Sequence, residues 1–114
     1  VNTVFEEVGN KMVLKLAGDI TIGEGDVQLR KNVQSALEKG FLKIVLDMKS
    51  VKYIDSSGVG ELVASFTTVK NKGGQLILAS LNNKILDLLQ LTALITVFDI
   101  CKTTEEALSE LDKA

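Results

Sequence analysis

Apolar and polar positions alternate at the start of the chain, then take up helical spacing further on. Met12, Leu14 and Leu16 share one side of an extended segment, with Lys11 and Lys15 on the other. Val13 is the one exception to this period of two. Val4 begins a preceding short strand and Gly9-Asn10 supplies the turn, so the segment is predicted to be a hairpin whose second strand runs from Met12 to Ala17. A glycine-rich link, "GDITIGEGD", follows. Between Asp26 and Lys39 the spacing of Leu29, Val33, Ala36 and Leu37 predicts a helix, with Val27 off the stripe and Gly40 where a stop belongs.

The short run "KIVLDM" is predicted to be a buried strand. Val59, Leu62, Val63, Phe66 and Val69 mark a second amphipathic helix that ends at Gly73-Gly74. "QLILAS" is another buried strand, and Asn82 or Asn83 is suited to cap a third helix carrying Ile85, Leu86, Leu88 and Leu89. "TVFDI" is expected to form a last strand. Thr103 and Glu106 have capping-box spacing before a final helix with Ala107, Leu108 and Leu111. The alternation of strands and helices predicts one α/β domain over residues 1–114, with a mixed, mostly parallel sheet and about four α-helices. The pattern holds no internal repeat, low-complexity segment or linker.

Composition narrows the function. At 114 residues and 46% hydrophobic, the chain can bury one sizeable core. A net charge of −2, without a basic stripe carrying aromatics, argues against a nucleic-acid reader. No apolar run approaches the roughly 20 residues that span a bilayer, so no membrane insertion is expected. The start has no signal-peptide pattern, and the single cysteine precludes an internal disulfide, so the expectation is a cytoplasmic protein. The chain opens on Val1 rather than Met, and further residues are expected upstream. With no histidine there is no Ser-His-Asp triad and no zinc site of the usual His/Cys type. No cofactor or metal is expected.

The chemistry concentrates in "YIDSSGVGEL", where an apolar run ends in Asp55, Ser56 and Ser57 and meets Gly58 and Gly60 as a helix begins. One serine is expected to be the N-cap, accepting from a free amide of the first turn. That accounts for one hydroxyl but not for the second, nor for two glycines that each cost about 1 kcal/mol in a helix relative to Ala. A nucleophile elbow requires Gly-x-Ser-x-Gly, which Ile-Asp-Ser-Ser-Gly does not match. Lys52 lacks the Ser-x-x-Lys spacing of a lysine base. Neither a P-loop nor the full dinucleotide fingerprint is present. The remaining reading is a phosphoacceptor: small neighbours expose a hydroxyl at a helix start, and phosphate adds about −1.5 to −2 charge there at pH 7. On physical grounds the acceptor is either serine, Ser56 or Ser57.

Elsewhere the bland readings prevail. Asp47, at the end of a strand, resembles a receiver's phosphoacceptor aspartate, but no acidic pair follows the first long strand, so it is taken to end the strand or bond a turn. Cys101 is expected to be a small core residue. "LQLTALITVF" is richer in apolar residues than one helix face requires, so part of it is expected to face a partner.

At "YIDSSGVGEL", and along nearly the whole chain in the order of its elements, the sequence resembles the anti-sigma factor antagonists of the STAS (sulphate transporter and anti-sigma factor antagonist) family. The resemblance implies a bacterial, non-enzymatic binding domain whose unphosphorylated form binds an anti-sigma factor that is also a serine kinase, freeing the sigma factor. It implies that Ser56 accepts the phosphate, that Ser57 stands at the helix cap, and that a serine phosphatase restores the active form. ATP and magnesium would belong to the kinase. The implied partner-binding residues are Asp19, Thr21, Gly23, Glu24, Asp55, Ser57, Gly58 and Gly60. Known members carry a Gly-Glu-Leu-Asp type segment after the second strand, whereas this chain has Gly18, Asp19, Ile20 and Thr21. Thr21 stands where the second acid would be, a departure that bears on the partner rather than the fold. The alternative is a constitutive scaffold or ligand-binding subunit of a signalling or membrane transport assembly, in which Asp55 to Gly60 is only a well-made helix start.

Overall fold

The computed structural model describes residues 2–113; Val1 and Ala114, the two ends of the expected domain, lie outside the described residues. The elements run β1 (Asn2–Val8), β2 (Lys11–Ala17), α1 (Gly25–Glu38), β3 (Lys43–Ser50), α2 (Ser56–Asn71), β4 (Gln75–Ala79), α3 (Asn83–Leu91), a 3-10 turn (Leu94–Thr96), β5 (Asp99–Cys101) and α4 (Thr104–Asp112). The five strands lie in the order β1-β2-β3-β4-β5. β1 pairs antiparallel with β2, and the other three pairings are parallel. The expected mixed, mostly parallel sheet with four α-helices is therefore what forms.

The two faces of the sheet are unequally covered. Met12, Leu14, Leu16, Ile44, Leu46, Met48, Leu76 and Leu78 share one face with the apolar sides of α1, α2 and α3. Val13, Val45, Ile77 and Ala79 point the other way, onto Ala107 and Leu111 of α4. Val13 is thus no exception to the alternation: β2 lies inside the sheet with an apolar covering on both sides, so the period of two loses its polar partner there.

Element ends shift by a few residues from the expected ones. β1 starts at Asn2 rather than Val4, and β5 is only Asp99–Cys101 because Leu94–Thr96 form the 3-10 turn. Asn82, not Asn83, caps α3, its side chain accepting from the Ile85 amide at 2.9 Å. Asp47 bonds locally, accepting from the Lys49 amide at 3.1 Å. Cys101 is half-buried beside the α4 cluster. Burial pushes its thiol up, and Glu110, Glu106 and Asp99 add to this, which keeps it a poor nucleophile.

Candidate functional site

The loop after β2 and the loop after β3 run side by side at one end of the sheet. Gly18 donates to the Ser50 carbonyl at 3.1 Å, Ile20 donates to Tyr53 at 3.1 Å, and Asp55 donates back to Ile20 at 3.3 Å. Ile20 and Ile54 form a parallel bridge at this point, and both are buried. Residues 18–24 are thereby laid against the start of α2, although more than 30 residues separate them in sequence.

Asp55 fastens the junction. One carboxylate oxygen, Oδ1, accepts from the Gly58 amide at 2.8 Å and caps α2. The other, Oδ2, accepts from the Ile22 amide at 3.0 Å, in the opposite loop. These donors, Gly58 first and Ile22 second, hold the Asp55 carboxyl below the ordinary carboxylate range against a smaller opposing desolvation. The expectation that a serine caps this helix is therefore corrected. Ser56 and Ser57 are the first two residues of α2 and the cap is Asp55, because an aspartate oxygen reaches the same amide and has a second oxygen left for the loop.

The two serines differ in setting: Ser56 is exposed and Ser57 half-buried. The two glycines differ as well. A Cβ on Gly58 would lie 2.2 Å from the Ile20 carbonyl oxygen and 2.6 Å from Ile54 Cγ1, so this residue permits the close approach of the two loops. It does not bare the first turn, as the sequence suggested. A Cβ on Gly60 would meet nothing within 4 Å, and Gly60 is exposed one turn beyond Ser56, on the same face.

Among the loop residues implied as partner-binding, Asp19, Gly23 and Glu24 are exposed and Thr21 is half-buried. Thr21 accepts at its carbonyl from the Asp26 amide at 3.1 Å, which fixes the entry to α1. Glu24 occupies the N-cap position of α1 without a side-chain capping bond, so its carboxylate remains available. Ile22 projects from the middle of this loop at 72% exposure, a bulky apolar side chain offered to solvent beside Ser56's helix. The structure thus brings Asp19, Thr21, Gly23, Glu24 and the Asp55–Gly60 segment to one end of the molecule.

Two further features lay outside the sequence reading. Beside Ser56 a groove of about 630 Å³ runs between the start of α2 and α3, floored by Ile54, Val59, Ile85 and Leu88 and bordered by Lys52, Tyr53 and Lys84. Asn82 joins the two elements that flank it: its side-chain amide donates to the carbonyls of Val51 and Lys52 at 3.2 Å each while its oxygen caps α3. On the other side of α2, buried Glu61 accepts from Arg30 Nε and Nη2 at 2.9 Å each and from Ser65 at 3.4 Å, joining α1 to α2. The apolar run at the end of α3 and beyond it divides, with Leu91 and Val97 exposed and Leu94 and Ile95 packed on the core. No group of His, Cys, Asp and Glu suited to hold a metal occurs among the described residues. No helix among them is long and apolar enough to cross a membrane.

Comparison with known proteins gives consistent matches. The family model described as the STAS domain matches residues 2–107. The anti-sigma-B factor antagonist of Bacillus subtilis is 32% identical over 105 residues, covering 92% of this chain and 94% of its own. The crystal structure of a candidate anti-sigma factor antagonist from Thermotoga maritima superposes with a TM-score of 0.88 at 30% identity, covering 96% of this chain and 94% of that one. The Bacillus cell fate determinant SpoIIAA, solved in its phosphorylated form, has the same fold with a TM-score of 0.71 at 22% identity, covering 96% of this chain and 98% of its own.

Proposed function

The chain belongs to the STAS domain family, and from that premise we propose that it is an anti-sigma factor antagonist switched by phosphorylation of Ser56. The observation that carries the reading is the placement of Ser56: an exposed hydroxyl directly after the aspartate that ties loop 18–24 to α2. Unmodified, the protein binds an anti-sigma factor through this end of the molecule and releases the sigma factor. Asp19, Thr21, Gly23, Glu24, Asp55, Ser57, Gly58 and Gly60 form or support that surface, with Gly58 acting from beneath it. The relatives matched along most of the chain are named for antagonising anti-sigma factors, which supports the partner class.

The anti-sigma factor is also the serine kinase. The γ-phosphoryl of its ATP passes to Ser56 Oγ, ADP leaves, and the hydroxyl proton goes to a base on the kinase. A serine phosphatase reverses the step by hydrolysis. This chain supplies the acceptor and no catalytic group, and it works in the cytoplasm with its partners. The added charge, about −1.5 to −2 at pH 7, falls beside Asp55 and makes the local surface strongly negative. A partner shaped for the unmodified surface then meets desolvated like charges.

Binding and mass measurements test the proposal. Against the cognate anti-sigma factor, Ser56→Ala is expected to bind as the native chain does and to take up no phosphate. Ser56→Asp is expected to bind at least about tenfold more weakly, the cost of one misplaced charge at an interface. Peptide mass spectrometry on protein from its native cells should find the phosphate on Ser56. Equal affinities for all three chains, with unmodified protein in stressed and unstressed cells, would favour a constitutive scaffold instead.

A further inference from the structure

The groove beside Ser56 carries a charge arrangement that the switch itself does not require. Its charged lining consists of Lys52, Lys84 and Asp55. Both lysines are exposed, and neither is paired with an acid among the described residues. They come from different elements: Lys52 from the loop before α2 and Lys84 from the first turn of α3. Asn82 fastens these elements together, since its amide nitrogen holds the Lys52 carbonyl while its oxygen caps α3 two residues before Lys84. Ser56 lines the same groove.

We infer that Lys52 and Lys84 form a receiving pair for a phosphomonoester on Ser56, drawing it into the groove between α2 and α3. The inference rests on Ser56 as the acceptor and adds where the phosphate goes. A phosphate on Ser56 is repelled by the neighbouring Asp55 carboxylate and attracted by the two ammonium groups that share the groove lining with it. Lysine suits the task as a compact charge on a flexible stem that follows the phosphate without a fixed fork geometry. The groove, which holds two cations and one carboxylate when Ser56 is free, turns net negative when the phosphate enters. Modification therefore does two things at once: it adds charge at the end of the molecule and withdraws two cations that an acidic partner segment would otherwise meet.

The test uses the full chain with phosphoserine incorporated at position 56 during translation, so that no kinase is needed. The second ionisation of the phosphate is followed by phosphorus NMR at low salt in the otherwise native chain and in Lys52→Gln, Lys84→Gln and the double variant. Each lysine is expected to lower that pKa by about 0.5, the effect of a unit charge about 6 Å away in a water-like medium. The double variant should then titrate about 1 higher than the native chain, and the gap should shrink in about 1 M salt, where the Debye length is about 3 Å. Phosphoserine placed instead at exposed Ser109 on α4 should be indifferent to the same substitutions. Identical titrations at position 56, or an equal shift at Ser109, would overturn the inference. Failure of Ser56 as the physiological acceptor would show separately, as unmodified protein from native cells.

Discussion

The starts of α2 and α4 are both capped helix N-termini, yet they are built for different ends. At α4 the bonds stay within five consecutive residues: Thr103 Oγ1 accepts from the Glu106 amide at 3.1 Å, and Glu106 accepts from the Lys102 amide at 3.2 Å. At α2 the capping carboxylate divides its two oxygens between Gly58 and Ile22, the latter 33 residues earlier. The α4 start ends a strand and begins a helix. The α2 start does this too, and in addition joins two loops into one surface with a serine at its edge. A cap that reaches beyond its own turn thus ties together two loops that are distant in sequence.

The largest break in this comparison is expected at Gly58. Gly58→Ala places a methyl 2.2 Å from the Ile20 carbonyl oxygen, and backbone on one side and the buried Ile54 side chain on the other leave little room to yield. Overpacking of this kind is expected to destabilise the fold by about 3 kcal/mol, read by denaturant unfolding. A loss below about 1 kcal/mol would mean that the two loops part easily, and that their union is not what the glycine serves.

Next comes the cap itself. Asp55→Ala removes the α2 cap and the Ile22 anchor together, and hydrogen exchange at the Ile22 amide should speed up relative to the rest of the chain. Thr103→Ala is expected to cost about 1 kcal/mol and to leave Ile22 unchanged, because its bonds are local. The pH dependence separates the two further. The carboxyl of Asp55 is depressed in the folded state, so its contribution is fully present above the unfolded value of about 3.9 and is lost as pH falls through the lower folded value. The acid limb of the stability curve should therefore flatten in Asp55→Asn and keep its native shape in Thr103→Ala. An unchanged acid limb in Asp55→Asn would show that the carboxylate bonds add no stability.

How far these features were legible from the chain depended on how local they are. Strand and helix identities followed from spacing, since the stripes Leu29, Val33, Ala36 and Leu62, Val69 do face the core. The Thr103–Glu106 box was readable because both partners sit in one turn. Val13 was misjudged because alternation presumes one polar face, and α4 covers the second face of β2 only after the chain has folded back. Asp55 was passed over as the cap because serine fits that role equally well in sequence. Its second bond, to Ile22, depends on the approach of two distant loops. The placement of Lys52 and Lys84 along one groove is likewise tertiary: Asn82 joins their two elements, which spacing does not show. The Asp-Ser-Ser-Gly-x-Gly string pointed to this end of the molecule, first through its hydroxyls and glycines at a helix start and then through its resemblance to a family.

The smallest effect is expected at Gly60, and it carries the comparison furthest because its sign should reverse. Gly58 and Gly60 look alike in sequence, two glycines in one first turn. Beneath Gly58 the space is filled, and beyond Gly60 it is open. Gly60→Ala should therefore stabilise the helix by about 0.5–1 kcal/mol, a rise in Tm of about 4 °C for a domain of this size. A glycine kept in a helix interior forgoes that stability, and the cost of replacing it, where there is one, falls on function. Under the proposed function, the bare patch one turn beyond Ser56 is where the partner would approach, and a methyl group there would stand in its way. The variant is expected to be more stable and to bind the anti-sigma factor several-fold more weakly, measured on the same preparation. Higher stability with unchanged affinity would remove Gly60 from the binding surface and leave that surface to the loop and the groove on either side of Ser56.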